Sequence, residues 1–371
     1  MYYFLNEDQV LMVENAKEFA ENEIKACVPD IENEIFPQNL LEQLDELGYL
    51  NMYLPEEYGG ISETMVTHMA IVEEFAKVNF MMAVVGNQNM VGELILKHGT
   101  EEQKEKFVAE PGFIGFGFTE PTAGSDAAGI KTTAVKDGDE WVINGQKTFI
   151  SYLNSCKAFL VSARTNETGK GGISAFVVYA DAPGVKIGSI FDKIGFRGSD
   201  TGELFLENVR VPAINMIGPE NKGLNIALEL LDSARLAIAA CGVGIAQGAL
   251  DKALAFVKQR ETFGKPVITN QGIQFMLANM QTKIDAARAL VYYTAELYDK
   301  GENINAWAAK AKLFASDMAQ EVTRDAVQLC GGYGLCKDFD IERHYRDAMV
   351  LSITEGTNEM LRTVIARGMM K

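Results

Sequence analysis

The stretch SITEGTNEM, residues 352–360, sets one acid, Glu355, directly against a glycine, with hydroxyls at Thr354 and Thr357 and apolar residues around them. Two readings fit these residue types. The first is a helix junction: one helix stops at Glu355, Gly356 turns the backbone, and Thr357 starts the next helix. The second is a base. A carboxylate held at such a junction, away from water, gains proton affinity above the ordinary glutamate value of about 4.3. On these nine residues alone the junction is the simpler reading, and the choice falls to the rest of the chain.

Other chemistries are poorly supplied. Cys27, Cys156, Cys241, Cys330 and Cys336 are dispersed with no CxxC pair, and His68, His98 and His344 are scattered, so no metal site is expected. An odd, scattered cysteine set suits a reducing cytoplasm. GFGFTEPTAG offers G-x-G, but Glu120 stands where a third glycine would be, and no strand–turn–helix surrounds it. No G-x-x-x-x-G-K-[ST] occurs, which disfavours a P-loop kinase or ATPase. A formal charge of −17 argues against nucleic acid as a partner but leaves a local anion site open.

Any such site must be positioned by the elements around it. At 371 residues the chain exceeds one simple core, and 47% apolar with 23% charged residues is an ordinary globular composition. Residues 1–112 read as helical: Asn6 and Gln9 form a capping pair ahead of an apolar periodic segment, and QNLLEQLDELGYL is a second helix stopped by Gly48. Asn87, Gln88 and Asn89 interrupt an apolar run there, as a solvated face or as part of a ligand pocket. Residues 113–215 are β-like, short β-branched or aromatic runs separated by Asp-Gly and Asn-Gly turns. Residues 216–371 return to long helical periods with short connections. The expected fold is α+β: an N-terminal helical domain, a middle antiparallel β-barrel or sandwich, and a C-terminal antiparallel four-helix bundle. The N-terminal residues lack a basic signal-like region and no apolar run is long enough to span a membrane, so a soluble cytoplasmic protein is expected.

Five motifs in order carry more than any one alone: GFGFTEPTAGSDAAG, WVINGQKTFIS, RETFGKPVITNQGIQFMLANM, AVQLCGGYG and HYRDAMVLSITEGTNEM. Together they closely resemble the acyl-CoA dehydrogenase family over nearly the whole chain. The resemblance implies FAD held between the β domain and the helical bundle. It also implies that Glu355, matching the acid of the family's YEGT motif, removes the α-proton of an acyl-CoA thioester while a β-hydride passes to flavin. Some relatives carry the base directly before an arginine on a bundle helix; here that place is Ala234 before Arg235, and alanine cannot take a proton.

By the same resemblance, Phe116, Phe118 and Thr119 line the flavin ring, Gly124 and Ser125 approach its phosphate and the substrate, and Phe149 and Ser151 lie beside it. Arg260, Thr262, Phe263 and Gln271 reach the FAD of a neighbouring subunit, as do Gln328, Gly331 and Gly332 on its adenine and pyrophosphate side. Thr357 and Glu359 complete the contacts after the base. Asp232 and Arg235 face the CoA portion, and Thr354 and Gly356 border the acyl group. The implied partners are an acyl-CoA or enoyl-CoA and electron-transferring flavoprotein, and the implied assembly is a homotetramer built as a dimer of dimers. The same chemistry reversed, as an enoyl-CoA reductase, is an alternative, as is a flavin oxidase or monooxygenase on this scaffold; a non-catalytic scaffold is a remote one. Three departures from the pattern bear on the acyl group. Thr354 replaces a common tyrosine, Tyr152 brings bulk near the flavin, and Asn87, Gln88 and Asn89 sit where relatives place residues near the acyl tail. They suggest a polar or larger acyl group, such as an aromatic or carboxylated one, or neutral drift in a short-chain enzyme.

Overall fold

The computed structural model describes residues 5–85, 90–109, 112–166 and 171–370; Asn87, Gln88 and Asn89 lie outside them. Helix α1 (Glu7–Phe19) starts at the expected capping box, with Asn6 and Gln9 bonded reciprocally. It passes through one widened turn (Ala20–Ile24) into α2 (Lys25–Glu32). Helix α3 (Gln38–Glu46) ends in a turn at Gly48, whose φ of 75° is the left-handed geometry glycine adopts at low cost. Helix α4 (Met65–Val78) is buried on nearly every side, and α5 (Phe80–Val85), α6 (Met90–His98) and α7 (Glu101–Phe107) follow.

The middle region is one sheet of β1 (Phe113–Gly117), β2 (Thr133–Asp137), β3 (Glu140–Ile150), β4 (Cys156–Arg164), β5 (Ile173–Tyr179), β6 (Val185–Ile190), β7 (Gly202–Pro212) and β8 (Met216–Ile217). Its order is β6-β7-β3-β2-β4-β5-β8, with β1 added on β4. The expected purely antiparallel sheet needs correction at two pairings. β1 runs parallel to β4, and Thr133 of β2 pairs in parallel with Arg164 of β4. The expected Asn-Gly turn is also absent. β3 runs unbroken through Asn144 and Gly145, and the register against β7 slips there instead. A Cβ on Gly145 would fall 2.3 Å from the Thr132 hydroxyl, so this glycine serves a close backbone approach rather than a turn.

Along β4 and β5 both faces are buried, and alternate residues serve different cores. Phe159, Val161, Phe176 and Val178 join the large core shared with the helices. Leu160, Ala158, Ala175 and Val177 pack with Ile95, Phe107, Ile226 and Leu230. The period of two in side-chain direction thus lets one sheet be clamped between two helical layers.

The C-terminal region has three long helices, α8 (Gly223–Gln259), α9 (Gln271–Asp299) and α10 (Asn305–Cys330). The hairpin β9 (Glu261–Thr262) and β10 (Lys265–Pro266) joins the first two. The fourth position in the bundle is filled by α11 (Glu342–Leu351), packed on α8 and α10, and α12 (Asn358–Met369), packed on α10. Small residues let α8 approach its neighbours: a Cβ on Gly244 would meet the Glu73 carbonyl of α4 at 2.3 Å. The interval between α11 and α12 is the stretch that carries Glu355.

Candidate active site

The base loop is a strained turn between two helices. Helix α11 stops at Leu351, and Glu355 and Gly356 take φ of 52° and 93° before Thr357 caps α12, its hydroxyl accepting from the Met360 N–H at 3.5 Å. A left-handed glutamate is uncommon and costs of order 1 kcal/mol, so the surroundings must impose it. Two helices do so. From α8, buried Arg235 donates through Nε to the Glu355 carbonyl at 3.2 Å, and is itself salt-bridged to Asp232 at 3.0 Å. From α10, Lys312 donates through Nζ to the Gly356 carbonyl at 2.9 Å. Asp232 is further held by the Asn305 amide at 2.9 Å. The junction and the candidate base are therefore the same object, and both readings of the sequence meet at one residue.

The Glu355 carboxyl is half-buried, and loss of water pushes its pKa above the ordinary carboxylate value. Arg235, Lys312 and the Thr354 hydroxyl, 3.5 Å from Oε1, pull the other way. A carboxylate whose proton affinity is raised by burial and restrained by two cations suits general-base work.

Before the sheet's outer strands lies a second group of expected residues. Phe116 and Phe118 stack with ring centroids 5.5 Å apart, and Phe118, the more buried of the two, leads into Thr119. The Thr119 carbonyl accepts from the Thr148 N–H at 2.9 Å, which ties this end of β1 to the Thr148–Phe149 end of β3. Phe149 is 66% exposed in a left-handed conformation, with φ of 57°. Ser151 shares a hydrogen bond with Thr201 at 3.2 Å. Gly124 and Ser125 are exposed on a loop, with open space around Gly124. This platform is held from inside by a buried ion pair. Glu120 accepts from Lys147 Nζ at 2.8 Å and from the Thr132 N–H at 3.0 Å, while Lys147 also donates to the Phe118 carbonyl at 3.2 Å. Burial lowers Lys147 to about 8 despite that partner. Glu120, at the place where a dinucleotide motif would need glycine, is thus the pin of the loop.

The third group sits at the other end of the bundle. Arg260, Thr262, Phe263 and Gln271 follow the C-terminus of α8 and open α9, while Gln328, Gly331 and Gly332 close α10. All of them are exposed, Phe263 completely. Helical rise places Arg260 about 37 Å from Arg235 along α8. The same measure sets Gln328 about 24 Å from Lys312 along α10. One chain therefore does not bring this group to Glu355. Open space surrounds Gly264, Gly331 and Gly332, and a long planar cofactor with a diphosphate fits exposed aromatic rings, an arginine and unfilled glycines of this kind.

Tyr152, expected near the flavin, is a core residue. It is fully buried, its hydroxyl donates to the Met81 carbonyl at 3.0 Å, and its ring meets Phe36, Phe113 and Phe196. It joins sheet and helices. Conversely, Lys312, Asn305, Asn358 and Lys147 went unread in the sequence. A signal existed for Lys312: it shares the apolar face of Ala308, Ala315 and Ala319 at helical spacing, an odd place for an ammonium.

Comparison with known proteins bears on nearly the whole chain. Residues 6–111, 115–209 and 221–370 match the models described as acyl-CoA dehydrogenase N-terminal, middle and C-terminal domain. The chain is 40% identical to the acryloyl-CoA reductase (NADH) of Anaerotignum propionicum, covering 100% of this chain and 96% of that one. Among solved structures, butyryl-CoA dehydrogenase from Megasphaera elsdenii superposes with a TM-score of 0.97 at 37% identity, covering 100% of both chains. A chain from a structure of the electron transferring flavoprotein of Acidaminococcus fermentans also gives 0.97, at 41% identity and 100% of both.

Proposed function

The chain belongs to the acyl-CoA dehydrogenase family, and from that premise we propose that it dehydrogenates an acyl-CoA thioester between its α and β carbons, with Glu355 as the base. The observation that carries this reading is the left-handed Glu355, half-buried and gripped from two helices with its carboxyl left free of any ion pair among the described residues. Bound FAD supplies the acceptor for the β-hydride. Glu355 takes the α-proton, and its raised proton affinity is what a weakly acidic C–H requires. Gly356, at φ of 93°, keeps the turn narrow, and Arg235 with Asp232 faces the CoA portion. Phe116, Phe118, Thr119, Phe149 and Ser151 line the flavin, with Gly124 and Ser125 at its phosphate and Thr357 and Glu359 beyond the base.

Arg260, Thr262, Phe263, Gln271, Gln328, Gly331 and Gly332 serve the FAD of a neighbouring copy, in a homotetramer arranged as a dimer of dimers in the cytoplasm. Their separation from Glu355 along the bundle supports this. Electrons pass to electron-transferring flavoprotein. The acryloyl-CoA reductase relative favours a second reading, the same site run as an enoyl-CoA reductase. Among the described residues, Thr354 in place of a common tyrosine and the bulk of buried Tyr152 are the departures that bear on an unusual acyl group.

The test is spectroscopic. Glu355→Gln is expected to keep the yellow flavin colour and to lose bleaching by acyl-CoA. Bleaching at the normal rate would transfer the role to another group. A panel of acyl- and enoyl-CoA thioesters reads substrate and direction, and a sharp preference for butyryl-CoA would remove the case for a polar or aromatic acyl group.

A further inference from the structure

Lys312 is fully buried on α10, beneath the turn that carries Glu355. Its ammonium donates to the Gly356 carbonyl at 2.9 Å and to Asn358 Oδ1 at 3.1 Å. Asn358 is fixed in turn: its amide donates to Asp317 Oδ1 at 2.7 Å, and Ser316 donates to its Oδ1 at 3.1 Å. With Arg235 on the Glu355 carbonyl, two consecutive carbonyls of one strained turn are each held by a buried cation from a different helix.

Anchoring alone does not call for a charge, since a neutral donor can bond a carbonyl, and a buried ammonium without a carboxylate partner is expensive. Arg235 has its carboxylate, Asp232; Lys312 forms no salt bridge among the described residues. The charged groups around it are Glu355 on the turn, Arg235 from α8, Asp317 on its own helix and Glu359 from α12. Asp317 is paired with Arg362 at 2.9 Å, and Glu359 is exposed. The field of Lys312 is thus left to act chiefly on Glu355. Burial draws Lys312 itself down to about 8, with Glu355 the largest opposing influence.

We propose that Lys312 is a positioning residue of the active site, which holds the Glu355–Gly356 turn from below and sets an ammonium charge beneath the base. This rests on Glu355 being the base. Two things follow. Below the lysine's own titration the base is restrained from taking a proton prematurely, and because the α-proton neutralises Glu355 when it is taken up, the same positive charge moderates the affinity of the base for it.

The test uses the FAD-loaded protein with Lys312→Met and Lys312→Gln. The infrared band of the protonated Glu355 carboxyl is assigned by its disappearance in Glu355→Gln, and its appearance is followed as pH falls. Both lysine variants lose the charge, so the midpoint of that band is expected to rise by about one pH unit in each. The acid limb of the flavin-bleaching rate should move with it. Lys312→Gln keeps a donor for Gly356, so its plateau rate should exceed that of Lys312→Met by roughly tenfold, the worth of one buried hydrogen bond. An unchanged midpoint in both variants overturns the proposal and leaves Lys312 a structural residue. If Lys312→Met does not fold, Lys312→Gln alone decides the midpoint. Unimpaired bleaching by Glu355→Gln would defeat the base assignment instead, while the carboxyl midpoint would still report on Lys312.

Discussion

The two ends of the C-terminal bundle are built on opposite terms. At the end bearing Glu355, polar groups are buried and matched: Arg235 to Asp232 and the Glu355 carbonyl, Lys312 to Gly356 and Asn358, Asn305 to Asp232. At the far end Phe263, Gln328, Gly331 and Gly332 are exposed, and a Cβ on either glycine would meet nothing within 4 Å among the described residues. The first end has its polar groups paired within one chain; the second leaves its expected site residues exposed. Under the proposed function, the difference separates a proton-transfer end built within one chain from a cofactor end that a neighbouring copy completes.

Breaking the first end should give the largest effect. Glu355→Gln is expected to lower turnover about 10²- to 10⁴-fold, as for loss of a general base, with oligomer size by light scattering and flavin absorbance unchanged. Breaking the far end should give the reverse profile. Arg260→Ala, at an exposed position, is expected to weaken FAD retention about tenfold on gel filtration, with little change in melting temperature.

The pH dependence sharpens the contrast. Because burial raises the Glu355 pKa, the ionised base is present above that value and is lost as pH falls through it. Initial bleaching rates should therefore decline on the acid side at a pH above the ordinary glutamate value of about 4.3. FAD retention should stay flat across the same range.

The smallest expected effect marks the boundary of the site. Tyr152→Phe removes a hydrogen bond to the Met81 carbonyl and should cost about 1 kcal/mol in urea unfolding. Its acyl-CoA preference should not change. A shift in preference would show that Tyr152 acts on the site as well as on the core.

Much of this architecture could be read in the sequence, because periodicity reports which face is buried. The Asn6–Gln9 cap, the helix ending near Gly48 and the long α8 all follow from local pattern. What escaped was set by distant partners. Gly145 looks like half of an Asn-Gly turn until Thr132 is seen against it, and the parallel pairing of β1 with β4 joins segments some forty residues apart. At the site, Glu355 carried a local signature in its glycine and flanking threonines. Lys312 did not, because its meaning depends on a turn that comes more than forty residues later and folds back onto α10.

A structure of the FAD-bound protein with an acyl-CoA in place tests the central claim most directly. The account predicts a Glu355 carboxylate oxygen about 3–3.5 Å from the substrate α-carbon, on the face opposite the flavin. A Glu355 carboxylate turned away, with a different acid nearer that carbon, would contradict it.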